Sequence, residues 1–368
     1  MLSTLLPTLR RALAPALAAT VLGGVLAAVP AAPAAAAVPD RWGFAYLQTP
    51  TPPAGMALDP TRQWGGWKAT APGLLATVYP GALGRYRVIF PLTAARGVAH
   101  VTAISNDPRW CQIFQTYPSG SDQVVEVQCY RQGGLPDYSR FAVMFSSSSG
   151  RMVPNTGAYA YVTADVLGNL LNSYNSAGAA NGVSRLSTGV YLVKLPNIGT
   201  GLFDGNIQVT AEHPNSPRRC KVPRWGPDGR GYYAYVMCFD QTNTLADSWF
   251  NLTYHRERAV FGALNPPDHF GYLWTPALGT AADYNSVGAP NLVVGAGPGL
   301  EAVVFRQVGH RETHVQVTAT GYNPHYCGLQ EVWALSGGDA IVRNVICFDA
   351  YTGLTTPEPY FITYTSRV

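Results

Sequence analysis

The triplet Val-Thr-Ala occurs at Val101, Val209 and Val317, and both intervals are 108 residues. A fixed period of this length means one structural unit repeated three times, so any fold for this chain must be a fold for about 109 residues. Other landmarks keep the same register. The first cysteines are Cys111, Cys220 and Cys327; the second, Cys129, Cys238 and Cys347, recur at 109 and each precedes an aromatic (Tyr130, Phe239, Phe348). A glycine stands six residues before an apolar strand end as Gly84/Phe90, Gly189/Leu195 and Gly299/Phe305. Aromatic segments open each unit (Phe44, Tyr159, Phe270) and close it (Phe141, Phe250, Phe361).

Within residues 86–90 and 191–195 alternate positions are apolar, which is the period of a half-buried strand. Gly (38), Pro (29) and Tyr (21) are abundant while only 12% of residues are charged, which suits short strands joined by turns. The expectation is therefore an all-β chain of three tandem β-sandwich or jelly-roll-like repeats, spanning 38–150, 151–258 and 259–368. A propeller blade is too short for this period. Joints are expected at 146–154, rich in Ser and Gly, and at 256–268, which carries Pro266-Pro267. Three such units can also close into one pseudo-threefold body.

Six cysteines allow 15 pairings, and the spacing selects one. The midpoints between the two cysteines of each unit are Gly120, Gly229 and Gly337, each within a turn-forming stretch. A hairpin turning at its centre places residues equidistant from the turn face to face, within disulfide reach. The pairs Cys111–Cys129, Cys220–Cys238 and Cys327–Cys347 are therefore expected as hairpin staples. Zinc would need clustered ligands such as C-x₂-C, and the sequence has none.

The first 37 residues contain no acid and no lysine; Arg10-Arg11 precede an apolar run that ends in Ala34-Ala35-Ala36-Ala37. This is the three-part form of a cleavable secretory signal, and the run is short and Pro-broken for a permanent membrane span. Export also supplies the oxidising surroundings that disulfides need. Removing the segment takes away two arginines and no acid, so the formal charge falls from +4 to +2. That balance argues against nucleic acid as a partner.

The unit pattern is an aromatic strand, Gly-x-Tyr-x-Val-x-Phe/Leu-Pro, Val-Thr-Ala, a cysteine, a turn, Val-x-Cys-Phe-Asp and a closing aromatic strand. It resembles the repeats of uncharacterised secreted actinobacterial proteins over nearly all of the chain after residue 37. The first unit departs with Arg131 where Asp240 and Asp349 follow the cysteine motif, and the third lacks the proline seen at Pro91 and Pro196. The resemblance implies export and repetition, and carries no catalytic residue.

Several segments invite a chemical reading. Tyr174-Asn175-Ser176-Ala177-Gly178 and Tyr284-Asn285-Ser286-Val287-Gly288 hold half of a nucleophile elbow, without its leading glycine or its strand-to-helix turn. Gly295-Ala296-Gly297-Pro298-Gly299 has the wrong spacing for a dinucleotide loop and precedes a strand, so it reads as a turn. His310, Glu312 and His314 would share one face of a strand, with His325 nearby, and form the sharpest metal candidate. Arg218, Arg219, Lys221, Arg224 and Arg230 cluster around the second hairpin. On a strand, Arg219 and Lys221 point away from Cys220 and would present a basic face to carboxylate or phosphate polymers. Asp137, Asp247 and Glu358 precede the final strands and read as turn chemistry. Trp64, Trp67, Tyr174 and Tyr284, in corresponding loops, could stack on sugar faces.

No convergent nucleophile, base and orienter emerges, so no catalytic residue and no cofactor are expected. The first-ranked reading is a secreted multivalent binding protein for extracellular or cell-wall carbohydrate, its three units gaining avidity from weak sites. The second is a structural or protein-interaction component of the cell envelope. The third is a secreted metal-dependent hydrolase centred on His310.

Overall fold

The period-2 strands of each repeat must bury one face, and they do so by stacking two sheets. A computed structural model describes residues 41–148, 157–262, 268–280 and 282–367. The expected signal segment, most of the 146–154 joint and Pro266-Pro267 lie outside the described residues. In the first repeat one sheet runs Trp64–Gly65, Arg41–Leu47, Arg140–Ser147, Val98–Ile104. The other runs Thr77–Pro80, Arg85–Phe90, Asp122–Arg131, Arg109–Ser119. All these pairings are antiparallel. The second repeat reproduces both sheets, the first ending on Asn206–Glu212 and the second on Arg219–Asp228. The third does the same, ending on Thr313–Ala319 and Tyr326–Leu329. The chain is thus three β-sandwiches in tandem, each with its own apolar core. Tyr86, Val88 and Phe90 point into the first core, as their alternation requires.

Each disulfide joins directly opposed residues of one hairpin, with Cα–Cα distances of 4.0, 4.1 and 4.0 Å. The hairpins turn at Gly120, Gly229 and Gly337, whose φ values near +60° favour glycine. The recurring Gly84, Gly189 and Gly299 also take positive φ. Their carbonyls accept the N–H groups of Cys129, Cys238 and Cys347. A Cβ on Gly84 would lie 2.6 Å from the carbonyl oxygen of Cys129, so no other residue fits this approach. Each bridge closes a loop of about 19 residues, so removing Cys220–Cys238 by a double alanine substitution is expected to cost about 3 kcal/mol. Urea denaturation followed by circular dichroism checks this, and an unchanged midpoint would overturn it.

The sandwiches close into a ring. Strands Val98–Ile104, Asn206–Glu212 and Thr313–Ala319, which carry the Val-Thr-Ala triplets, are buried on both faces. At its end each meets the disulfide hairpin of another repeat in parallel fashion. Ile104 pairs with Leu329, Glu212 with Ile113, and Thr320 with Val222. These three pairs occupy one equivalent position, two residues after the first cysteine and one after the triplet. They link repeat 1 to 3, 3 to 2 and 2 to 1, which is closed pseudo-threefold symmetry.

Hydrogen bonds between the triplet strands follow the same cycle. Thr102 Oγ1 donates to Gln316 Oε1 at 2.6 Å and accepts the N–H of Val317 at 3.0 Å. Thr318 Oγ1 donates to Gln208 Oε1 at 2.9 Å and accepts the N–H of Val209 at 3.0 Å. Thr210 Oγ1 completes the set at 3.0 Å from His100 Nδ1, His100 standing where the other repeats have glutamine. The invariance of the central threonine within the chain is thereby explained: each hydroxyl bridges two repeats, and those of Thr102 and Thr318 both donate and accept.

Candidate functional site

The side chains singled out in the sequence are distributed by this ring, and few of them meet. Trp67 is 2% exposed and donates its indole N–H to Leu74 O; its ring fills the space that Gly43 and Gly65 leave by lacking a Cβ. It is a core residue, not a loop platform. Trp64 is half-buried, with Arg367 and Lys68 5.0 and 5.5 Å from its ring. Tyr174 stacks on Tyr161 at 5.8 Å, and Tyr284 on Phe270 and Tyr272 at 5.7 and 5.3 Å. Both tyrosines cover aromatic strand residues of their own repeat, so much of their apolar surface is used in cohesion.

The Ser176 and Ser286 hydroxyls accept the backbone N–H of Tyr159 and Phe270, which closes a strand end. Asn175 and Asn285 bond Asn181 and Asn291 in matching fashion. The pentapeptides are structural turns.

His310, Glu312 and His314 do not converge. The strand begins only at Thr313, so His310 and Glu312 lie in the preceding loop and not on its face. His310 packs on the His269 ring at 4.1 Å, and Glu312 pairs with Arg367 at 3.1 Å. His314 is 1% exposed between Phe44 and Phe261. Among the described residues no group of three His, Cys, Asp or Glu side chains is placed to hold a metal. Asp137, Asp247 and Glu358 each form an ion pair, with Arg109, Arg185 and Lys221 respectively.

Arg219 and Lys221 do leave the Cys220 face of their strand, but they do not reach solvent. Repeat 3 covers that face, and both side chains are buried. Lys221 Nζ donates to Glu358 Oε1 at 2.6 Å, Asn323 Oδ1 at 2.8 Å and the His325 carbonyl at 3.1 Å. Burial lowers its pKa to about 8 against the attraction of Glu358.

Arg219 lies on the pseudo-threefold axis. The residue before the first cysteine is Trp110, Arg219 or Tyr326, and the ring brings all three together. The guanidinium carbon lies 4.4 Å from the Trp110 ring centroid and 4.9 Å from that of Tyr326, a cation held between two aromatic rings. Beside them is a cavity of about 60 Å³, lined also by Cys111, Cys220 and Cys327 and by the triplet valines. Every repeat contributes equivalent residues, while Arg218, Arg219 and Lys221, all from repeat 2, put cations on one side of it.

No protein-family model, curated protein or solved structure matches this chain.

Trp110 and Tyr326 were not singled out in the sequence. The signal was nonetheless present: one position, adjacent to the first cysteine, carries a large planar side chain in all three repeats. Burial lowers the pKa of Arg219 to about 10, far above neutrality, so its charge persists without water around it. No helix among the described residues is long and apolar enough to cross a membrane.

Proposed function

We propose that the chain is an exported binding protein for an extracellular or cell-wall polymer, and that its three repeats act together through the pocket on the pseudo-threefold axis. The observation that carries this reading is the convergence of one equivalent position from every repeat on a single cavity with a basic, aromatic lining. Three independent avidity sites would need the equivalent loops to offer free aromatic faces, whereas Trp67 is core and Tyr174 and Tyr284 stack on their own strands. The cavity holds about 60 Å³, against roughly 300 Å³ for the smallest ordinary ligand pockets. It therefore suits one chemical group, a chain end or a substituent, with the rest of the polymer outside. The N-terminal segment of secretory form and the three disulfides support the extracellular setting.

A pull-down of the chain from residue 38 on isolated cell walls and insoluble polysaccharides tests the reading. Retention of the intact chain, competed by soluble polymer, is the expected result. No retention on any matrix would sink it and favour a structural component of the envelope. The packing of Trp67, Tyr174 and Tyr284 into the body already suits that second reading.

A further inference from the structure

Three buried donors lack acceptors at one place. Trp110 Nε1, Arg219 Nε and the Tyr326 hydroxyl are each out of contact with solvent and, among the described residues, have no hydrogen-bond partner. All three belong to side chains that line the axial pocket, one from each repeat. Arg219 is 8% exposed, and among the described residues no carboxylate lies within 4 Å of it; its one side-chain partner is the neutral Asn243. Arg218, half-buried beside it, spends its donors on the carbonyls of Asp247 and Pro217; Asp240 and Asp247 attract it, but among the described residues no carboxylate lies within 4 Å of it. The other cation of the lining, Lys221, is fully engaged with its three acceptors.

Buried donors without acceptors are costly, and the Arg219 charge is offset by Asp240 only from beyond 4 Å. Cation–π contact with Trp110 and Tyr326 eases the charge but accepts none of these hydrogens in a directed bond. An oxyanion supplies what is missing: acceptor lone pairs in several directions and a negative charge. A neutral hydroxyl would satisfy one donor and leave the charge.

We propose that the axial pocket binds a single anionic oxygen group, a carboxylate, sulfate or phosphate, with Arg219 as its anchor and with Trp110 and Tyr326 as further donors once their side chains shift to open the orphan N–H and O–H to the pocket. This rests on the pocket being the binding site and names the class of group it takes. A cavity of about 60 Å³ has room for one such group.

The test is calorimetric titration of the chain from residue 38 with sodium sulfate, phosphate and acetate at constant ionic strength, chloride serving as reference. At least one anion is expected to bind saturably, at one equivalent, with a dissociation constant below about 1 mM. Arg219→Gln is expected to weaken it at least about tenfold. Trp110→Phe keeps an aromatic face and removes one donor, so it should weaken binding roughly three-fold to ten-fold even if Arg219→Gln fails to fold. Arg224→Gln removes an exposed charge from the same strand and should leave binding unchanged.

Absence of saturable binding by all three anions would overturn the proposal, the pocket then holding water alone. So would equal losses in Arg219→Gln and Arg224→Gln, which would mean diffuse charge. A uronate polymer and a neutral glucan, run in parallel pull-downs, separate a substituent on a polymer from a free anion. Retention of a polymer that survives Arg219→Gln would defeat the anion site while leaving the polymer-binding reading intact.

Discussion

Lowering the pH from 6.5 to 5 is expected to remove several kcal/mol of stability, more than surface carboxylates can account for in that window. Three histidines are fully buried, His100 and His314 on Val-Thr-Ala strands and His255 on the strand Trp249–Arg256. His100 is hydrogen-bonded to the hydroxyls of Thr210 and Thr253. His255 donates from Nδ1 to the Arg258 carbonyl, with the Tyr272 ring 5.0 Å away. His314 lies between Phe44 and Phe261, with Nε2 3.0 Å from the Gln316 amide. Burial lowers their pKa values to about 3, 4 and 3; His255 further disfavours charge on His100, and His100 on His314, while the bond to the Arg258 carbonyl favours charge on His255. In the unfolded chain each titrates near 6.5. Below that pH the unfolded state gains protons that the native state refuses, so this stability is present above 6.5 and lost as pH falls toward 3–4.

Glu212 acts in the opposite sense. Burial, opposed only by the amide of Asn251, raises its pKa to about 7, so the native state keeps its proton where the unfolded chain has released it. Its contribution is present below about 4.5 and lost as pH rises to 7. Three histidines against one glutamate leave a net of about two protons, or up to about 2.7 kcal/mol per pH unit. Urea titrations between pH 5 and 7.5 read this slope directly. His100→Gln places in repeat 1 the residue that repeats 2 and 3 carry at Gln208 and Gln316, and should lower the slope by about 1.4 kcal/mol per unit. A midpoint independent of pH, or a slope untouched by that substitution, would refute the account.

What the sequence made legible is what is local or repeated. Hairpin pairing of Cys111 with Cys129 follows from symmetric spacing about Gly120, and the half-buried strand at Arg85–Phe90 from its alternation. What it hid depends on what covers a surface. Alternation correctly turned Arg219 and Lys221 away from Cys220, but an isolated sandwich has solvent there, and this ring has repeat 3. The same packing buries His314, whose strand would otherwise have one open face. Trp67 misled because its pocket is made by Gly43 and Gly65, residues whose role is to be small. The full burial of the three Val-Thr-Ala strands, apolar and polar positions alike, marks the axis beside the cysteine-adjacent Trp110, Arg219 and Tyr326, and it emerges when the repeats are seen together.

The largest single-site effect is expected at Glu358. Its pair with Lys221 is 3–4% exposed and spans repeats 2 and 3, beside the Val222–Thr320 junction. Lys221 has every hydrogen engaged, and Glu358 Oε2 accepts a further bond from Asn323 at 2.9 Å. Glu358→Gln strands a buried ammonium and should destabilise by about 3–5 kcal/mol; Lys221→Gln strands the carboxylate with a similar result. The other two junctions show that no ion pair is needed there. At the position of Lys221, repeat 1 has Gln112, whose amide donates to the carbonyls of His213 and Ser216 across the junction with repeat 2. Repeat 3 has Gly328, where a Cβ would lie 2.8 Å from the Ala103 carbonyl oxygen. A neutral amide and no side chain at all both seal equivalent interfaces. The double variant Lys221→Gln/Glu358→Gln should therefore recover most of the loss and stand within about 1 kcal/mol of the parent, a coupling of several kcal/mol in a double-mutant cycle. Denaturant unfolding of the four proteins measures it. Additive losses would mean that each charge acts through partners of its own, and that the junction does not depend on their pairing.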